Sequence, residues 1–131
     1  MHRLTLRQMY EIPLGKGDLK REGSDISIAA TSYMVQKSLE AAEKLSQEKS
    51  IECEVIDIRT LRPLDIDIIL DSIKKTGRLL CVEEAPVFGG FMGEVSAQVS
   101  EKGFDWLDAP VARVAGRNCP VPYSLVLEQE M

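Results

Sequence analysis

The stretch EVIDIRTLRPLDIDIILDSIKKTGRLLCVEE, Glu54 to Glu84, decides the fold. It opens inside ECEVIDI, which is rich in β-branched residues and short enough to be a buried strand. RTLRPLD breaks that strand, because Pro63 cannot continue a ladder and biases Arg62 toward extended geometry. Asp65 then predicts a helix cap, and Ile66, Ile69, Leu70 and Ile73 recur at i, i+3, i+4 and i+7. Lys74 and Lys75 stand at the negative end of this helix and Gly77 lies just past it, so start and stop signals agree. RLLCVEE is a near-continuous apolar run ending in two acids, the pattern of a central strand whose carboxyl end emerges from the core. Strand, helix and strand in this order make a βαβ unit, with parallel pairing and a right-handed crossover.

The flanks extend the same alternation. Residues 1–17 mix charge with Pro13, Gly15 and Gly17 and show no sustained period, so they read as a linker or arm. Asp18 to Arg21 alternates, the turn signal Glu22-Gly23-Ser24-Asp25 follows, and DISIAAT sets Ile26, Ile28 and Ala30 on one face. On local signals alone these two strands form a hairpin, with glycine supplying the positive φ of a II′ turn. From Ser32 to Glu48, Val35, Leu39, Ala42 and Leu45 mark an amphipathic helix with Ser32 as its N-cap. Downstream, Val95 and Val99 lie four apart on a third helix that stops at Gly103. A last strand near Val111 to Ala115 leads into a proline-marked tail. Trp106, in FDWLDAP, is expected under the sheet edge. The whole reads as an α/β domain with a mainly parallel sheet covered on both faces.

A chain of 131 residues, 44% of them hydrophobic, suits one packed domain. A net charge of −5 argues against a nucleic-acid partner. No apolar run approaches the roughly 20 residues that span a bilayer, and MHRLTLRQMY lacks the apolar region of a signal peptide. The expectation is a soluble protein of the cytoplasm, or of the mitochondrial matrix in a eukaryote. Cys53, Cys81 and Cys119 lie 28 and 38 residues apart, so no ligand pair has CxxC spacing and no metal site is expected. Cys53 and Cys81 fall in strand-like runs, where a buried thiol is the ordinary outcome. His2 is the only histidine and lies in the arm, which excludes Ser-His-Asp and Cys-His catalysis within this chain.

The chemistry therefore narrows to CVEEAPVFGGFMGEVSAQV, Cys81 to Val99. Ligands of parallel α/β sheets favour strand carboxyl ends, where Glu83 and Glu84 sit. Successive strand residues point to opposite faces, so the two acids do not address one substrate. The simpler expectation is that one caps backbone N–H groups or pairs across an interface while the other is solvated. GGFMG at 89–93 is neither G-x-G-x-x-G nor a P-loop, and a tight strand-to-helix turn accounts for it. Phe88, Phe91 and Met92 form a dense apolar cluster that suits a protein contact better than a polyanion. The candidate interface is Glu83, Glu84, Phe88, Gly89, Gly90, Phe91 and Met92. No catalytic, cofactor-binding or metal-ligating set is visible.

The succession IPLGKGDLKREGSDISIAA, EVIDIRTLRPLD, SIKKTGRLLCVEEAPVFGGFMGE and GFDWLDAPVARVAGRNCPVPYS, from Ile12 to Tyr123, resembles a known family. It is similar to the C-terminal domain of the E1 beta subunit of thiamine-diphosphate-dependent 2-oxo acid dehydrogenases, which include the pyruvate, branched-chain 2-oxo acid and acetoin enzymes. The resemblance implies a transketolase C-terminal-like fold, three layers α/β/α around a five-stranded, mostly parallel sheet with one antiparallel edge strand. In that arrangement the first strand lies beside the third, against the hairpin. It bounds an arm at 1–17, a domain at 18–123 and a tail at 124–131.

The resemblance also implies a role in assembly. The family's thiamine diphosphate and Mg lie between an alpha-subunit domain and the beta subunit's N-terminal domain, which this sequence lacks, so no catalytic or cofactor residue carries over. What matches is scaffold: Arg59 through Asp65, Glu83, Glu84, Gly89, Gly90, Asp108, Pro110 and Arg113. The partners implied are a second copy in a homo-oligomer, an E1 alpha subunit, or the basic subunit-binding domain of the acyltransferase, which an acidic surface complements. The substrate stays open among pyruvate, branched-chain oxo acids and acetoin. Two other readings stand beside this one: a stand-alone dimerisation or regulatory module that reuses the fold, and a flavodoxin-like binder of a small molecule or anion.

Overall fold

The computed structural model describes residues 12–119, so most of the expected arm at 1–17 and the tail at 124–131 lie outside the described residues; the strand and helix patterns between them become elements. In chain order these are β1 (Asp18–Arg21), β2 (Ile26–Ala30), α1 (Tyr33–Lys49), β3 (Cys53–Asp57), α2 (Ile66–Thr76), β4 (Leu79–Pro86), α3 (Phe91–Gly103), a 3-10 turn (Phe104–Trp106) and β5 (Ala112–Gly116). The sheet runs β1-β3-β2-β4-β5. Only the β1–β3 pair is antiparallel. This is the three-layer arrangement with one antiparallel edge strand.

The alternation of strand side chains divides the interior in two. Ala29, Ile56 and Cys81 turn toward α2 and α3 and meet Ile69, Ile73, Met92, Val95 and Val99. Ile28, Ala30, Cys53, Val55 and Val82 turn the other way and are covered by Val35 and Ala42 of α1. The α2 signals hold in detail. Asp65 Oδ1 accepts a hydrogen bond from the Ile68 N–H at 3.3 Å, and Gly77 closes the helix in the left-handed region at φ 74°.

Three local expectations are corrected. The hairpin does not form, because β1 pairs with β3 while β2 is held between β3 and β4. A β1–β2 hairpin would give up one of the two parallel partners that bury β2. Gly23 serves close approach instead of a positive φ: a Cβ there would stand 2.4 Å from the Cys53 carbonyl carbon. Its N–H donates to Glu54 Oε1 at 3.2 Å.

Ser32 occupies the N-cap position of α1 but makes no side-chain capping bond. Its φ of 54° departs from the extended backbone that brings a capping oxygen back to the free N–H groups. Trp106 does not lie under the sheet edge. It is 39% exposed, on a turn that continues α3, with Lys74 Nζ 4.5 Å from its ring centroid. The ring lies over Gly103, where a Cβ would come within 3.3 Å of it.

A polar seam between the sheet and α2 had no sequence signal. The Oγ of Ser27 lies 2.5 Å from that of Ser72 and 2.7 Å from Thr76 Oγ1. Glu54, in register with Ser27 on the neighbouring strand, has a side chain only 3% exposed and pairs with Lys75. Burial pushes the Glu54 carboxyl up, yet the bonds from Lys75, Ser72 and the Gly23 N–H together hold it below the ordinary carboxylate value.

Candidate interface at the carboxyl end of the sheet

β4 delivers Glu83 inward and Glu84 outward, as strand alternation requires. Glu83 is 6% exposed, and its Oε2 accepts from the Met92 N–H at 2.9 Å. A carboxylate thus occupies the positive end of α3, where orphan N–H groups and the helix dipole both favour negative charge. Gly90 makes room for it: a Cβ there would sit 2.5 Å from Glu83 Oε2 and 2.6 Å from the Pro86 carbonyl oxygen. Gly89 turns the chain at φ 77°. Glu84 is exposed.

The seven predicted residues therefore separate by position. Met92 is fully buried among Val95, Val99 and the β-strand side chains, so it builds the core beneath the junction and offers no contact surface. Phe91 is half-buried and Phe88 is 87% exposed. The chain leading into the turn between them, at Val87 and Phe88, is splinted from β5 and from the segment just after it. The Phe88 N–H donates to Asn118 Oδ1 at 2.8 Å, and Arg113 Nη1 donates to the Val87 carbonyl at 3.1 Å.

The connections after β2 and β4 leave toward opposite faces of the sheet, opening a crevice between neighbouring strands. A cleft of about 850 Å³ lies there, bordered by Thr31, Arg59, Leu61, Glu83 and Phe91, with Ile12 and Leu14 of the arm along one side. The cleft was missed by sequence reasoning, since its walls come from segments up to 79 residues apart. The arm is sewn to the RTLRPLD loop by two bonds. The Gly15 N–H donates to Thr60 Oγ1 at 3.1 Å and the Gly17 N–H to Asp65 Oδ2 at 2.9 Å. Asp65 thus holds the arm with one oxygen and caps α2 with the other. Gly15 sits in the left-handed region at φ 78°, and a Cβ there would also lie 2.9 Å from the Pro63 ring.

The charged groups around the cleft, and Thr60, have partners within the domain. Arg59 donates to Asp18 at 3.0 Å and its N–H to Asp57 Oδ1 at 3.0 Å, while Thr60 Oγ1 donates to the Pro63 carbonyl at 2.8 Å. The hydrogen bond from Lys20, aided by Arg59, lowers the Asp18 carboxyl from its usual value. Burial, with Glu83 nearby, pushes the Cys81 thiol up to about 12, so it is no nucleophile in the folded chain. Among the described residues no three His, Cys, Asp or Glu side chains converge as a metal site. None of the described helices is long and apolar enough to cross a membrane.

Comparison with known proteins matches this arrangement. The family described as "Transketolase, C-terminal domain" matches residues 15–131. The chain is 48% identical over 121 residues to the acetoin:2,6-dichlorophenolindophenol oxidoreductase subunit beta of Bacillus subtilis, covering 92% of this chain and 35% of that one. It is 47% identical over 118 residues to the pyruvate dehydrogenase E1 component subunit beta of Rickettsia bellii, covering 90% and 36%. It therefore spans about a third of the length of these relatives. Among solved structures, a split gene transketolase in an inactive beta4 tetramer superposes with a TM-score of 0.78 at 30% identity, over 92% of this chain and 38% of that one.

Proposed function

The chain belongs to the transketolase C-terminal domain family, and from that premise we propose that it acts as the C-terminal assembly domain of a 2-oxo acid dehydrogenase E1 beta subunit. In this reading the intact enzyme decarboxylates a 2-oxo acid oxidatively, and this domain holds subunits together without catalysing a step itself. Pyruvate and branched-chain 2-oxo acids are the substrate classes in view for that reaction; acetoin, which has no carboxyl group to lose, stands as the alternative substrate. The reading carries a cytoplasmic location, or the mitochondrial matrix in a eukaryote.

The observation that carries the assembly role is the commitment of Glu83. The acid at the strand end, where a catalytic group would stand, is buried and bonded to the Met92 N–H, while Glu84 faces away. The same geometry does not fit thiamine diphosphate. Among the described residues, the glycine turn at Gly89-Gly90 is already filled by the Glu83 carboxyl group, whose oxygen takes the Met92 N–H that a phosphate would need. No step of the reaction is routed through this chain's residues. Phe88, exposed on a splinted loop, is the proposed contact with a second copy.

Two measurements test this. The 131-residue chain is expected to co-purify with the E1 alpha and beta subunits of an acetoin or pyruvate dehydrogenase and to give no heat on titration with thiamine diphosphate and Mg. Absence from the complex, or micromolar cofactor binding by the chain alone, overturns the reading. In sedimentation, the chain is expected to form a dimer or larger species that Phe88→Asp converts to monomer. A monomer at high concentration, or an oligomer indifferent to Phe88→Asp, defeats the homo-oligomer contact.

A further inference from the structure

The large apolar side chains left exposed by the fold are not scattered evenly. Ile12, Leu14 and Leu61, which are 53%, 79% and 49% exposed, line the cleft at the carboxyl end of the sheet together with half-buried Phe91. Tyr33 and Phe88, 57% and 87% exposed, are chain neighbours of cleft residues Ser32 and Gly89. An open apolar concavity of this kind marks a contact surface.

The charges nearby decide what kind of contact. Glu83 is engaged by the Met92 N–H, Arg59 by Asp18, and Asp57 by the Arg59 N–H. These charges already face partners inside the domain, so an ionic ligand would gain less from them than from unpaired charges, while the exposed side chains that border the cleft are mainly apolar. An uncharged apolar surface gains from burial alone.

The arm says where that surface comes from. Residues 12–17 form one side of the cleft and are fixed there by the Thr60 and Asp65 bonds. The match is to a C-terminal domain and covers 35% of the Bacillus subtilis relative. The remainder of such a protein precedes this arm, and so joins the domain at the rim of the cleft. A domain tethered there meets the cleft at a high effective concentration, on the order of millimolar for a short linker.

We propose that the cleft seats an uncharged, apolar element of the domain that precedes this one in E1 beta subunits. The inference rests on the E1 beta reading and names the partner that reading left open. The contact is an interface between successive domains of one chain, and the arm is its hinge side.

The test fuses this chain in place of the matching third of the Bacillus subtilis beta subunit and compares Leu14→Asp and Leu61→Asp in the fusion and in the isolated chain. Both sites are exposed here, so each substitution is expected to move the unfolding midpoint of the isolated chain by less than about 1 °C. In the fusion each is expected to lower it by about 3 °C or more, with Phe104→Asp as a control that is neutral in both. Equal, negligible shifts in both settings overturn the inference while leaving the E1 beta reading intact, provided the fusion still binds the alpha subunit. A fusion that does not bind the alpha subunit counts against the reading itself. Loss of self-association by the isolated Leu61→Asp chain would assign the cleft to a second copy and also overturn the inference.

Discussion

Glu83 and Gly90 form one device: the acid supplies the cap and the missing Cβ supplies the room. Removing the acid leaves a buried N–H without a partner, so Glu83→Ala is expected to destabilise the chain by about 2 kcal/mol in urea unfolding. Glu84→Ala, on the solvent side, is expected to stay within about 0.5 kcal/mol. The alternation that separates these roles was legible in the sequence, because strand geometry is local. Gly23 was not, because its reason is the Cys53 carbonyl, a neighbour 30 residues away in the chain.

Glu54 gives a second prediction at this scale. Its folded carboxyl binds a proton less readily than the unfolded one, whose ordinary value is 4.5. The stability it contributes is therefore present above that value and lost as pH falls through the lower, folded value. Glu54→Gln is expected to flatten the fall of the urea midpoint between about pH 5 and pH 3. A variant as steep as the parent chain would show that other carboxylates carry the acid response.

Among the elements, α2 was the most legible. Its cap, apolar stripe, basic last turn and terminal glycine are all near-neighbour signals, and all appear where expected. Gly77 adds something the pattern did not show. Its carbonyl accepts from the Asp108 N–H at 2.7 Å, and a Cβ would fall 2.3 Å from Asp108 Oδ2. The helix end is thus the anchor for the loop that leads into β5. Gly77→Ala combines left-handed strain with that collision and is expected to cost about 2–3 kcal/mol, read from equilibrium unfolding. The β1–β2 hairpin failed for the opposite reason. A turn signal is local, whereas partner choice is set by which strands can be buried on both sides, and the buried run of β2 takes β3 and β4.

At the scale of the molecule, the element order alone implied a parallel sheet with helices on both faces, and the family likeness supplied the antiparallel edge. The junction from Glu83 to Met92 was visible as a place but not as an object. Met92 continues the i, i+3, i+7 stripe of Val95 and Val99 into the core, a local signal that separates it from Phe88, which precedes the helix and lies on the surface. The cleft was invisible because the arm that forms one of its sides is apolar only at scattered positions.

The division of the interior by the sheet has a consequence for how the chain opens. Cys53 lies on the α1 side and Cys81 on the α2–α3 side, and burial raises both thiols, so neither reacts with an alkylating reagent until its own face is uncovered. α1 is bounded by Ser32 and Ser50, both at positive φ and the first without a side-chain cap, whereas α2 is closed by Asp65 and Gly77. In a time course with iodoacetamide followed by peptide mass spectrometry, exposed Cys119 should label first, Cys53 next and Cys81 last. Equal rates for Cys53 and Cys81 would mean that the two faces come apart together. The two latent thiols act as separate clocks, one for each side of the sheet.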